Sequence, residues 1–122
     1  MIEKDIILSG DADKLERVFD NLLRNAVNYS YPDTVIHLSM KRMTKEHKVL
    51  IRVQNHGRTI AKEKLEHIFE QFFRVDASRS SATGGSGLGL AIARQIVEMH
   101  HGQIRAESAD ETIVFEVELP CE

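Results

Sequence analysis

Between residues 15 and 27 the apolar residues Leu15, Val18, Phe19, Leu22, Leu23, Ala26 and Val27 recur at i, i+3, i+4, i+7 and i+8. A run of that period folds as a helix with one apolar face, and that face has to be buried against a second layer. Asp13, with Glu16 three residues on, is the expected start of this helix, in the manner of a capping box. Pro32 marks its end, because the residue before a proline is pushed out of the α region. The second layer comes from β-rich runs. Ile6–Leu8 reads as a short first strand, and Thr34–Met40 and Lys48–Gln54 as two more, joined by a charged, solvated connection from Lys41 to His47. In the later of these, Val49, Ile51 and Val53 share one face. A helix is expected over Ala61–Phe69, and a mobile loop over Val75–Gly87, where four Ser and three Gly accumulate. Another helix opens at Leu88 with Ile92, Ile96 and Met99 on its apolar side, and Gly102 is expected as its left-handed cap. Strands at Gln103–Glu107 and Thr112–Leu119 close the chain, the last with Ile113, Phe115, Val117 and Leu119 in alternation. Long helices between hairpin-linked strands predict an α+β fold: a two-layer α/β sandwich whose mixed, mostly antiparallel sheet carries helices on one face.

The chain has 122 residues, enough for one domain over 1–122. With 42% hydrophobic and 29% charged residues it can bury a core without staples and does not look disordered. A formal net charge of -3 gives no global positive field, so nucleic acid is not an expected partner. The single cysteine, Cys121, rules out an intrachain disulfide and suits a reducing compartment. Apolar stretches are too short for a transmembrane helix or signal peptide, so a soluble, cytoplasmic domain is expected.

Four places in the sequence could carry chemistry, and each has a bland reading. Asn21 and Asn25 stack on one side of the first helix, with Asn28 and Tyr29 one turn further on. Such amides are either a solvated edge or hard oxygen ligands of the kind that suit Mg²⁺. Gly84-Gly85-Ser86-Gly87-Leu88-Gly89-Leu90 runs straight into a helix, where glycines allow an anion close to backbone N–H groups. It matches neither a P-loop nor a dinucleotide fingerprint, and by itself is equally a flexible loop. Asn55-His56-Gly57-Arg58-Thr59-Ile60 breaks sharply after a strand and could be a simple turn. Ile68-Phe69-Glu70-Gln71-Phe72-Phe73-Arg74 is dense in aromatics, which core packing explains for the most part. The six histidines have no metal-ligand spacing and read as structural, with His100 and His101 on a solvated helix end.

In order, Asn-x-x-x-Asn on a helix, a strand ending in Asn-x-Gly, Phe-x-x-Phe-Phe-Arg and Gly-x-Gly-Leu-Gly-Leu resemble the N, G1, F and G2 boxes of sensor histidine kinase catalytic domains. These belong with gyrase B, Hsp90 and MutL in one ATP-binding family, with a Bergerat-type fold. The resemblance runs from about Asp13 to Pro120. The Tyr-Ser-Tyr-Pro-Asp run and the closing Glu-Val-Glu-Leu-Pro are most similar to vancomycin-resistance sensors of the VanS type.

The resemblance implies Mg-ATP as cosubstrate, with Asn25 on the Mg²⁺ and Asn21 facing the nucleotide; these two are the expected catalytic residues. Gyrase-like members carry a water-activating Glu at the Asn21 position, and an amide cannot act as a base, which favours phosphotransfer over hydrolysis. Tyr29 would stack on adenine, with Asn28, Asn55, Gly57, Ile60 and Leu88 also in the nucleotide site. Gly85, Gly87 and Gly89 would wrap the phosphates, Val75–Gly84 would form the lid, and Arg74 and Arg79 would pair with phosphate charge. The chain departs from the family at Asn55, in place of the G1 acid that accepts the adenine amino proton, at Thr59, in place of the second G1 glycine, and at Asn28, in place of a lysine. Asp110-Glu111-Thr112 stands where a last glycine-rich box is usual. The implied function is transfer of the ATP γ-phosphoryl to a histidine on a dimerisation domain outside this chain, within a two-component system connected to glycopeptide resistance. The partners implied are that domain and a response regulator; the fragment itself is expected to be monomeric and its parent membrane-bound. A serine kinase of the anti-sigma type and a nucleotide-insensitive interaction module of the same fold are the alternatives.

Overall fold

The computed structural model describes residues 10–71, 73 and 88–121. The expected strand Ile6–Leu8, the lid Val75–Gly84, and Phe72, Arg74, Arg79, Gly85 and Gly87 lie outside the described residues. Helix α1 spans Ala12–Tyr29, and strands β1 (His37–Met43) and β2 (Lys48–His56) follow, joined through a 3-10 turn at Thr44–Glu46. A four-residue helix, α2 (Lys62–Leu65), and then α3 (Gly89–Met99) lead into β3 (Gln103–Ala109) and β4 (Thr112–Pro120). The strands form one sheet in the order β1-β2-β4-β3, and all three pairings are antiparallel.

One face of the sheet is buried under helices. Val49, Ile51 and Val53 of β2 and Ile113, Phe115, Val117 and Leu119 of β4 point inward, as their alternation predicts, and meet Leu15, Val18, Leu22 and Ala26 of α1 and Ala93, Ile96 and Val97 of α3. The small residues Ala26 and Ala93 are fully buried, and α1 packs alongside α3 as well as over β2. The helical stripe runs out at its last turn, where Val27 is 63% exposed, and Met99 is likewise exposed at the end of α3.

The caps differ from those expected. Asp11, not Asp13, caps α1, its Oδ1 accepting the Lys14 N–H at 3.2 Å. At the end of α3 the left-handed residue is His101 (φ 64), not Gly102. Gly102 is needed for a different reason: a Cβ there would stand 2.2 Å from the Glu118 carbonyl oxygen. His100 is not on a solvated face either. Its Nε2 accepts the Asp11 N–H at 3.1 Å while its Nδ1 bonds the Ile96 carbonyl at 2.8 Å, so it ties the start of α1 to the end of α3. The helix expected over Ala61–Phe69 is α only for one turn; i→i+3 bonds such as Ile68 N–H to Leu65 O then carry the chain on.

The outer face of the sheet is polar. Arg105 on β3 reaches Glu116 at 3.2 Å and Glu118 at 3.4 Å on β4, and Lys48 on β2 reaches Glu118 at 3.4 Å from the other side. Burial alone would raise the Glu118 carboxyl, but the Arg105 hydrogen bond and charge, then Lys48, outweigh it and hold the group below the usual glutamate range. A carboxyl depressed in the folded state adds stability above its unfolded value and loses it as pH falls through the folded one. Glu118→Gln is therefore expected to lower the urea midpoint at neutral pH and to flatten its decline below about pH 4.5, the region of the unfolded glutamate. Urea titrations of both proteins across that range check this.

Candidate functional site

The polar edge of α1 meets the start of α3. Asn21 is half-buried, its Nδ2 is sealed from solvent without a hydrogen-bond partner among the described residues, and its Oδ1 lies 3.4 Å from where a Cβ on Gly89 would sit. The first turn of α3 thus lies against Asn21, at a distance where even a Cβ at 89 would be in ordinary contact. Leu88, the residue capping α3, has no side-chain acceptor to offer, and a helix start of this kind is a favourable seat for an anion. Asn25 follows Asn21 by one turn, half-buried on the same edge, and Asn28 and Tyr29 close the helix. Tyr29 packs against the core cluster.

The end of β2 is brought to the same place. Asn55 continues the inward alternation of Val49, Ile51 and Val53, and is 1% exposed in an otherwise apolar layer. Its Nδ2 has no hydrogen-bond partner among the described residues. Gly57 is buried against α1, and a Cβ there would stand 2.0 Å from the Tyr29 carbonyl oxygen and 3.2 Å from Asn55 Nδ2. The Tyr31 N–H donates to His56 O at 2.8 Å, so the chain leaving the helix is bonded to the chain leaving the strand. Asn55, Gly57 and Tyr29 are held together by this clasp. Ile60 beneath the turn is 4% exposed and belongs to the core.

The β3–β4 hairpin closes the other side of the turn. Its two loop residues, Asp110 and Glu111, both have positive φ (51 and 59), the pairing that twists a two-residue hairpin correctly. Gly57 N–H donates to Glu111 O at 3.0 Å, and Glu111 N–H donates back to Thr59 Oγ1 at 2.7 Å. Ile60 N–H donates to Ser108 Oγ at 2.9 Å, whose hydroxyl donates to Thr112 O at 3.0 Å. Thr59 and Asp110-Glu111-Thr112, two unrelated oddities in the sequence, are bonding partners. Sequence reasoning singled out Thr59 and Glu111 as departures but found neither the bond between them nor the supporting Ser108. The only signal was a hydroxyl where glycine is usual and a hairpin turn without glycine.

Phe69 packs edge-on against Phe115, with ring centroids 6.1 Å apart, so this part of the aromatic run is core. Phe73 stacks on His67, which pairs with Glu70; that hydrogen bond and the carboxylate charge raise the imidazole above its usual value. Among the described residues no three His, Cys, Asp or Glu side chains gather to hold a metal, and no helix is long and apolar enough to cross a membrane. Removing the Thr59 hydroxyl in Thr59→Val is expected to cost about 1 kcal/mol in urea unfolding. Gly57→Ala is expected to cost more, about 1–3 kcal/mol, because rigid backbone and not a movable side chain opposes the new methyl.

Residues 10–122 match the model of the family described as histidine kinase-, DNA gyrase B- and HSP90-like ATPases. Sensor protein VanSC of Enterococcus gallinarum is 48% identical over 119 residues, which is 98% of this chain and 32% of that protein. The chain thus spans about a third of the curated relative. Among solved structures, the catalytic domain of histidine kinase ThkA superposes with a TM-score of 0.82 at 32% identity, covering 97% of this chain and 73% of that one. ThkA in complex with the response regulator protein TrrA superposes at 0.80 and 29% identity, covering 100% of this chain and 33% of that one. The chain belongs to the histidine kinase-, DNA gyrase B- and HSP90-like ATPase family and is the ATP-binding domain of a sensor histidine kinase of VanS-like sequence.

Proposed function

We propose that the convergence of α1, the Gly57 turn and the start of α3 binds Mg-ATP, and that the γ-phosphoryl goes to a histidine on a dimerisation domain of the parent kinase. The supporting observation is the pair of buried amides, Asn21 and Asn55, each with an Nδ2 that no described residue satisfies. A buried amide left unpaired costs about 1–3 kcal/mol, and a polar ligand beside each would remove that cost. Asn55 would meet the base, Tyr29 would stack on it, and Gly57 would admit it closely; Asn28, Ile60 and Leu88 complete the nucleotide set. Phosphate would lie over the start of α3 at Gly89, with Gly85, Gly87, Arg74 and Arg79 as further contacts.

These residues fit a bound Mg²⁺: the amide carbonyl of Asn25 is a hard oxygen donor on the edge that faces α3. When bound, the ion supplies neutralisation of phosphate charge. Asn21 holds the nucleotide and cannot deprotonate water, so the site spares the γ-phosphoryl for its acceptor. In the transfer the bond from the γ-phosphorus to the ADP oxygen breaks, a bond to the lone pair of the unprotonated imidazole nitrogen forms, and the other ring nitrogen gives up its proton to solvent. Positioning and electrostatics do most of the work in such a step. The likeness to the VanS-type sensors supports a membrane-bound parent and a role in glycopeptide resistance, and the likeness to ThkA in its complex with TrrA supports a response regulator as the next acceptor.

Calorimetric titration of the chain with ADP, with and without Mg²⁺, tests the reading. Binding with a Kd on the order of micromolar is expected, strengthened by Mg²⁺ in the wild type and not in Asn25→Ala. Binding indifferent to both the metal and Asn25 would remove the proposed ligand.

A further inference from the structure

We propose that the hydroxyls of Thr59 and Ser108 are positioning groups for the nucleotide. They hold the turn after β2 in its binding form, and through them the β3–β4 hairpin sets nucleotide affinity. The proposal rests on the nucleotide reading above and gives its base end a support made of residues outside the nucleotide set.

The turn carries Gly57 and Ile60 of that set and follows directly on Asn55. From Gly57 to Ala61 the chain is neither helix nor strand, so its backbone groups must find partners elsewhere. They find them on one hairpin. Gly57 N–H donates to Glu111 O at 3.0 Å, and Ile60 N–H donates to Ser108 Oγ at 2.9 Å. Thr59 Oγ1 accepts the Glu111 N–H at 2.7 Å in return. Ser108 is engaged on both sides, because its hydroxyl also donates to Thr112 O at 3.0 Å. On the inward row of β3, Ile104 and Ala106 pack against the core, and the row turns polar at Ser108, opposite Ile113.

Two of these bonds depend on side-chain hydroxyls, so either can be removed without altering any residue of the nucleotide set. A turn that occupies its binding form only part of the time binds with its affinity reduced by that fraction. Holding the turn in place before the ligand arrives removes that loss. The brace acts at the base end alone. Asn25 and the start of α3 lie at the other end of the site and take no part in it.

Calorimetry with ADP, with and without Mg²⁺, on the wild-type chain and on Thr59→Val, Ser108→Ala, Thr59→Ser and Glu118→Gln tests this. The first two are expected to raise Kd about three- to tenfold, the range of one neutral hydrogen bond. The factor by which Mg²⁺ strengthens binding should stay as in the wild type. Thr59→Ser returns the hydroxyl and should return the affinity. Glu118→Gln, on the outer face of the sheet, should lower stability but not affinity, which separates positioning from general loosening. A rise below about threefold in either folded hydroxyl variant overturns the proposal. So does a comparable rise in Glu118→Gln, a changed Mg²⁺ factor, or a Thr59→Ser that binds as Thr59→Val does. Should Thr59→Val or Ser108→Ala fail to fold, as judged by circular dichroism, amide exchange in the free wild-type chain decides. The Gly57, Ile60 and Glu111 amides should then be protected before any nucleotide is added, and exchange as fast as in an open loop overturns the proposal. Absence of ADP binding by the wild type overturns the nucleotide reading itself, an outcome distinct from affinity indifferent to the two hydroxyls.

Discussion

The site depends on one close approach, the backbone at Gly57 against the carbonyl of Tyr29. An added Cβ would come to 2.0 Å of that oxygen, and the Tyr31 N–H bonded to His56 O holds the two chain segments at this distance. Through it the last turn of α1 and the last inward residue of β2 become neighbours. A buried amide on the sheet, Asn55, is thereby brought beside the helix end that carries Tyr29. At the opposite end of the site the first turn of α3, at Gly89, lies against Asn21, where a Cβ would be in ordinary contact.

The departures from the family pattern are less damaging together than apart. A threonine in place of glycine at 59 stiffens a turn, and a glycine-free hairpin at Asp110-Glu111 forces two side-chain-bearing residues into positive φ. In the structure the Thr59 hydroxyl accepts the Glu111 N–H and Glu111 O accepts the Gly57 N–H, so the turn and the hairpin brace each other. The Asn55 substitution is different in kind. It leaves the site's shape in place and changes its hydrogen-bonding polarity, from acceptor only to acceptor and donor.

Much of the fold was legible because burial imposes a period. The inward faces of β2 and β4 and the apolar face of α1 follow from alternation and from helical spacing. The errors have physical causes. Apolar spacing of three and four is met by successive i→i+3 turns as well as by helix, so Ala61–Phe69 looked like one helix where α2 is a single turn. Two aspartates two residues apart can both cap, and the structure uses the earlier. Periodicity identifies an apolar face but not where its cover stops, hence exposed Val27 and Met99. Of the site, the Asn-rich edge and the glycine turns were visible as motifs. The tie from His100 to Asp11 and the Thr59–Glu111 bond were not, because each joins residues far apart in the chain whose types alone predict no pairing.

In the proposed function the unsatisfied amides of Asn21 and Asn55 both meet the bound nucleotide. At 13.9 kDa the chain suits solution NMR, and side-chain amide signals report the two residues directly. On titration with Mg-ADP, the Asn21 and Asn55 side-chain amides and the backbone amides of Gly57 and Gly89 should move together, with one saturation curve. Saturable binding that leaves those four signals in place while perturbing the outer face of the sheet would contradict the account.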